Sequence, residues 1–154
     1  MASAFAAFTK LKQKTGVVTP AKILSLTDEE LRSCYFSRQK MVYARELAKA
    51  IVSKEIRLKN LESNHDDDIR TVLKKVKGIG DWTVDVYLLF ALQRSDVFPL
   101  GDLAMIKAIK EIKKITAEAS KEKIEKIAES WRPYRSVATM ILWHYYLSKR
   151  KTGH

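Results

Sequence analysis

Two short stretches of this chain carry residue types and spacings that suit chemistry. In the first, Val76-Lys77-Gly78-Ile79-Gly80-Asp81-Trp82-Thr83, two glycines flank one apolar residue, with helical periodicity on either side. Glycine tolerates the dihedrals of a tight turn, so the amides can face outward while Ile79 points back into the core. Amides at the positive end of a following helix are a place to hold a phosphate. Lys74, Lys75 and Lys77 add attraction that carries no base information. Taken alone, the glycine pair reads equally as a plain helix–helix turn. In the second stretch, Val97-Phe98-Pro99-Leu100-Gly101-Asp102, the break from Pro99 to Gly101 delivers one carboxylate to the start of a helix. On pattern alone Asp102 is either an N-cap or a reactive carboxylate.

Helices must position both stretches. Phe5, Phe8 and Leu11 recur at helical spacing, which predicts a helix over about 2–14 with one apolar face, ended by Gly16. Thr19-Pro20 starts a short helix holding Ile23 and Leu24, and Thr27 with Glu30 forms a capping box. From Ser37 to about Ser53, the stripe Met41, Ala44, Leu47, Ala48 and Ile51 predicts a core helix, with Arg38, Lys40, Arg45 and Lys49 on a solvated face. His65 with Asp66, Asp67 and Asp68 is better explained as a helix start, where carboxylates complement the dipole, than as a metal site. The hairpin spans about 70–92: Ile69, Val72, Leu73 and Val76 line its first helix, and Val84 to Leu92 form its second. Beyond Asp102, apolar stripes run through Ile106, Ile109 and Ile112, then through Ile124, Ile127 and Ala128 after a cap at Ser120. Pro133 opens a last helix along Val137, Met140, Ile141 and Leu147. No strand pattern competes, so the predicted class is all-α, a compact multi-helix domain over 1–154.

Composition bounds the function. The 154 residues suffice for one domain with a core and are too few to expect two. No apolar run approaches 18 residues and no export signal precedes the first helix, so no membrane span and an intracellular setting are expected. That setting is cytoplasm or nucleoid in a bacterium, nucleus in a eukaryote. The single Cys34 excludes an internal disulfide and a cysteine-ligated zinc or iron–sulfur site. A net charge of +11 favours a polyanionic partner, through release of condensed counterions, over a merely solvated basic surface.

The series Leu73-x-x-Val76-x-Gly78-Ile79-Gly80-x-Trp82-Thr83 followed by Val97-Phe98-Pro99-x-Gly101-Asp102 resembles the helix-hairpin-helix and catalytic-aspartate signature of base-excision DNA glycosylases. Trp131-Arg132-Pro133-Tyr134-Arg135-Ser136 and Trp143 are similar to the C-terminal helix of the DNA-3-methyladenine glycosylase II branch. The likeness runs from about Phe5 to Trp143, nearly the whole chain.

The resemblance implies hydrolytic removal of alkylated purines from double-stranded DNA by a monomer. Asp102, in the loop 97–102, would be its catalytic residue, stabilising the oxocarbenium-like sugar and orienting or deprotonating water. Lys77, Gly78, Ile79, Gly80, Asp81 and Thr83 would hold a DNA phosphate. Bifunctional relatives place a nucleophilic lysine two residues beyond the second hairpin glycine; Trp82 stands there, so hydrolysis without strand cleavage is expected. Trp82 and Trp143, with Tyr87, Tyr134 and more weakly Tyr145, would wall the base pocket; an indole face favours a cationic methylated purine by roughly 0.5–2 kcal/mol. Family members also bind a monovalent cation, Na+ or K+, through hairpin carbonyls corresponding to Lys74, Val76 and Ile79; no other cofactor is implied. They carry, ahead of the helix matching Phe5–Leu11, a segment with a duplex-filling wedge and a sheet domain. This sequence begins where that segment should end, which puts efficient base flipping in question more than DNA binding. The alternative is a non-catalytic helix-hairpin-helix DNA-binding module.

Overall fold

The computed structural model describes the backbone of residues 2–152 and the side chains of residues 4–150; among these there is no strand, and every regular element is helical. The chain divides into two compact units, Met1–Ile79 and Gly80–His154, the division falling inside the glycine turn.

The first unit holds α1 (Ala2–Thr15), α2 (Pro20–Ser25), α3 (Asp28–Ser33), α4 (Arg38–Val52), α5 (Leu58–Leu61) and α6 (Asp66–Leu73). Its helix starts follow local chemistry. Thr19 and Ser37 accept amides of Lys22 and Lys40, and Thr27 and Glu30 form the reciprocal capping box. Leu11, Ile23, Leu31, Cys34, Met41 and Ala48 make the core. That core reaches α1 only at Leu11, so Phe5 and Phe8, expected on the same buried face, stand exposed. Arg45 does not lie on a solvated face, as its position off the apolar stripe predicts. Instead it bridges α4 to α3, with Nη1 2.5 Å from Asp28 Oδ1 and Nη2 donating to the Leu26 carbonyl at 2.9 Å. His65 occupies the N-cap of α6 without a side-chain cap, and Asp66, Asp67 and Asp68 fill the first turn. No three His, Cys, Asp or Glu side chains among the described residues are grouped to hold a metal ion. Helix α6 ends at Leu73, so Val76 lies buried in the turn and not on the helix as its spacing predicts.

The second unit holds α7 (Asp81–Phe90), α8 (Leu103–Ile112), α9 (Lys121–Glu129) and α10 (Arg135–Thr152). Met105, Ala108 and Ile109 of α8 meet Ile124 of α9 and Leu142 of α10, with Phe98, Trp131 and Trp143 packed around them. Full burial of each of the larger side chains contributes roughly 1.5–3 kcal/mol. Of the stripe expected to bury α8, Ile109 is inside and Ile112 exposed. The stripe expected to bury α10 is turned outward: Val137, Met140, Ile141 and Leu147 are exposed, whereas Ser136, Thr139 and Leu142 face inward. The reason lies outside the helix. The hydroxyls of Ser136 and Thr139 satisfy backbone groups of the segment 94–97, and those hydrogen bonds decide which face is covered. None of the described helices is long and apolar enough to cross a membrane.

Candidate active site

The carboxylate loop is built from two successive tight turns. The Leu100 amide donates to the Phe98 carbonyl at 2.9 Å, and the Asp102 amide to the Pro99 carbonyl at 2.8 Å. Pro99 is fully buried, which seats the bend against the second unit's core. Asp102 comes next, in extended conformation, as the N-cap of α8. Its Oδ1 accepts the Met105 amide at 2.9 Å, so the capping interpretation of this residue is correct. Its Oδ2 does something no cap requires: it accepts the indole Nε1–H of Trp82 at 2.8 Å.

Helix α7 supplies that indole. Gly80 is its N-cap, extended at φ −106° and ψ 179°, and being a glycine it supplies no side-chain cap. Asp81 and Thr83 are exposed beside Trp82, whereas Val84, Leu88 and Leu89 anchor the helix in the core. Trp82 is 50% exposed even though its N–H is taken. The second unit therefore presents a half-buried carboxylate, fixed through both oxygens, beside an aromatic ring with open surface. Each carboxylate oxygen keeps a further lone pair for a water or for positive charge.

Each of the other aromatic candidates has contacts of its own. Trp143 packs on the core and stacks on Phe90, centroids 5.6 Å apart and 9° from parallel. Tyr145 directs its hydroxyl to Glu111 Oε2 at 3.3 Å, where Lys149 Nζ also binds at 2.9 Å. The Lys149 hydrogen bond is the main reason the Glu111 carboxyl lies below its ordinary range. Tyr134 is exposed just after the cis Arg132–Pro133 bond, and Tyr87 is half-buried on α7.

In the first unit, the chain approaches the division through a turn closed by the Ile79 amide on the Val76 carbonyl at 3.1 Å. Gly78 has φ +94°, and a Cβ there would lie 2.1 Å from Tyr43 Cγ. Both constraints demand glycine. Ile79 is half-buried, as its inward direction requires. Lys77 is exposed and lines, with Lys49, Lys75, Glu46 and Glu55, a cavity of about 550 Å³.

Sequence reasoning misses Tyr43, which lies off the apolar stripe of α4, and the pairing of Asp96 with Arg135, 39 positions apart. Neither carries a periodic signal. It misses the Trp82–Asp102 hydrogen bond as well, although it points to each of the two residues separately.

A family profile described as HhH-GPD superfamily base excision DNA repair protein matches residues 1–133. YfjP of Bacillus subtilis is 34% identical over 135 residues, covering 86% of this chain and 47% of its own length. The alkylbase DNA glycosidase-like protein mag2 of Schizosaccharomyces pombe is 31% identical over 126 residues, 81% of this chain and 59% of that protein. The chain thus spans about half the length of the curated relatives it matches. Among solved structures, the Schizosaccharomyces pombe 3-methyladenine DNA glycosylase Mag1 in complex with abasic DNA superposes with a TM-score of 0.84 at 30% identity, over 90% of this chain and 69% of that one. With its family profile matched over most of its length, the chain belongs to the HhH-GPD superfamily of base excision DNA repair proteins.

Proposed function

We propose that this chain is a monofunctional DNA glycosylase that hydrolyses the N-glycosidic bond of alkylated purines, acting as a monomer on double-stranded DNA. The observation that carries the proposal is the Asp102 carboxylate, held through Oδ1 by the Met105 amide and through Oδ2 by the Trp82 indole. A capping role accounts for the first contact only. The second orients the carboxylate toward a half-exposed aromatic ring, the arrangement needed if a base and its sugar are to lie there.

As the base departs, positive charge develops on the deoxyribose, and a carboxylate at fixed orientation stabilises it without reorganising. The same group accepts a hydrogen bond from the attacking water and takes its proton. Trp82 offers its ring face to a methylated purine, whose positive charge the indole quadrupole favours. With an indole at that position no amine attacks the sugar, so the product is an intact abasic strand. Names of relatives support the substrate class: mag2 is called alkylbase DNA glycosidase-like, and Mag1 a 3-methyladenine DNA glycosylase.

Binding is assigned to the turn and to the start of α7. The amides at the start of α7 hold a backbone phosphate, and the proposed binding stretch is the run Lys77, Gly78, Ile79, Gly80, Asp81 and Thr83. A monovalent cation, Na+ or K+, would be held by the carbonyls of Lys74, Val76 and Ile79. Neutral carbonyl oxygens suit such an ion, and the Val76 oxygen, which already accepts the Ile79 amide, keeps one lone pair for it. Its part would be to stiffen the turn and add positive charge near the phosphate.

The test compares wild type and Asp102→Asn on randomly methylated duplex DNA, with freed bases identified chromatographically. Wild type releases methylated purines, and the variant binds DNA equally but releases none. Equal release by both removes Asp102 from the chemistry. DNA binding with no release by either makes the chain a binding module.

A further inference from the structure

We propose that Arg135 and Ser136, at the start of α10, are positioning residues that hold the segment 94–102 so that Asp102 meets the Trp82 indole; this rests on the glycosylase assignment for its consequence in rate, but not for its geometry. Within the loop, Pro99 is buried and Asp102 caps α8, but neither contact sets the path of the chain that enters it. Its two turns are local, and a local turn can be carried anywhere by the chain that enters it. The entering chain is the part that α10 holds.

Arg135 grips Asp96 with a fork. Nε lies 2.7 Å from Oδ1 and Nη2 3.0 Å from Oδ2, while Nη2 also donates to the Asp96 carbonyl at 3.1 Å. The Arg135 amide reaches Oδ1 at 3.4 Å, and Arg132 Nη1 reaches Oδ2 at 2.8 Å. Glu129 holds the guanidinium groups from the other side, 3.0 Å from Arg135 Nη1 and 2.6 Å from Arg132 Nε. The Arg135 side chain is only 15% exposed, so this is not a loose surface pair.

Ser136 is buried and works in both directions. Its Oγ accepts the Val97 amide at 2.9 Å and donates to the Arg94 carbonyl at 2.5 Å, while its own amide donates to the Ser95 carbonyl at 3.0 Å. Thr139, one turn on, donates to the Val97 carbonyl at 3.3 Å. Residues 94, 95, 96 and 97 are therefore each tied to the first turn and a half of α10. Phe98 then packs edge-on against Trp131, centroids 5.9 Å apart, and the two turns run to Asp102. Asp102 thus takes its place relative to Trp82 from α8, which it caps, and from α10, a helix that does not touch substrate in the proposed mechanism.

Two variants separate positioning from charge and from folding. Arg135→Lys keeps the charge and loses the fork; Ser136→Ala removes one hydroxyl. Circular dichroism checks that each is folded. The position of Asp102 is read without any activity, from the Trp82 indole N–H resonance in a proton–nitrogen NMR spectrum, assigned through Trp82→Phe. Base release under single turnover and DNA affinity are measured alongside. Both folded variants are expected to show a displaced Trp82 resonance, unchanged DNA affinity, and release slowed on the order of 100-fold, the scale of a misplacement near 1 Å. A Trp82 resonance at its wild-type position in a folded variant overturns the proposal. So does an unchanged rate where wild type releases base, or the unfolding of both variants, which would make the network a folding element only. Displaced resonances with no release by wild type leave the clamp standing and remove the glycosylase assignment.

Discussion

Replacing Gly78 by alanine should cost far more than replacing Gly80, although the two glycines look alike in sequence. At Gly78 the backbone has φ +94°, where an L side chain costs about 1–2 kcal/mol. The new Cβ would also sit 2.1, 2.3 and 2.5 Å from Cγ, Cδ1 and Cδ2 of Tyr43, against an ordinary carbon–carbon contact of about 3.5–4.0 Å. The ring must move to make room, which gives up the hydrogen bond that Gln39 Nε2 donates to its hydroxyl at 2.5 Å. Overpacking of this kind adds about 1–3 kcal/mol. The total, about 2–5 kcal/mol, corresponds to a fall in Tm of about 4–20 °C for a chain of this size. Gly80 has ordinary extended dihedrals and nothing within 4 Å of its Cβ direction, so Gly80→Ala should cost only the N-cap preference for glycine over alanine, about 1 kcal/mol or less, a fall in Tm of no more than about 4 °C. Its methyl group would instead obstruct the approach to the start of α7 and weaken DNA binding. Thermal unfolding of both variants, with Gly78→Ala repeated in a Tyr43→Ala background, reads the terms separately: the double variant should recover the packing part and keep the dihedral part. A loss below about 1 kcal/mol for Gly78→Ala, or equal losses at the two glycines, would refute the reasoning.

Two further outcomes rest on named contacts. Trp82→Phe keeps a ring and removes the donor to Asp102 Oδ2, so single-turnover base release should fall about 10-fold or more while DNA affinity stays near wild type; a hydrogen bond to a charged group contributes about 1.5–3 kcal/mol where buried, less at a half-exposed ring. The Asp96 carboxyl is held below its ordinary value, first by the Arg135 side-chain hydrogen bonds, against desolvation, and then by the Arg135 charge and amide and the Arg132 charge. A depressed carboxyl stabilises the fold above its unfolded value of about 3.9 and loses that contribution as pH falls through the folded value. Denaturant unfolding of Asp96→Asn should thus show a weaker loss of stability on going from pH 7 to pH 3 than wild type; parallel losses would rule the contribution out.

How much is legible from residues alone varies with the range of the physics involved. Thr27 and Ser120 act within three residues of themselves and each caps the helix it is expected to cap, and Thr19 and Ser37, expected as helix starts, cap theirs as well. The turn at Gly78 is legible for the same reason, since a positive φ is a local demand that glycine meets. Periodicity is less dependable. It finds α4 and its buried Met41 and Ala48, yet on α10 it chooses Val137, Met140 and Ile141, which are exposed. An apolar stripe says that a helix has a face to bury; it does not say that a covering partner lies opposite. On α10 the partner is a segment of backbone, and backbone is covered by hydroxyls better than by methyl groups.

Asp102 shows the same division within a single residue. The sequence alone determined that a carboxylate would stand at the start of α8, because Pro99 and Gly101 break the chain and an aspartate caps the helix after the break. Its second contact joins residues 20 positions apart, and the grip on the loop that carries it joins residues 39 apart. Capping is a property of four consecutive residues and is written in their order. Which ring faces the carboxylate, and which arginine holds its loop, depends on how α7, α8 and α10 pack, and only the tertiary structure decides that.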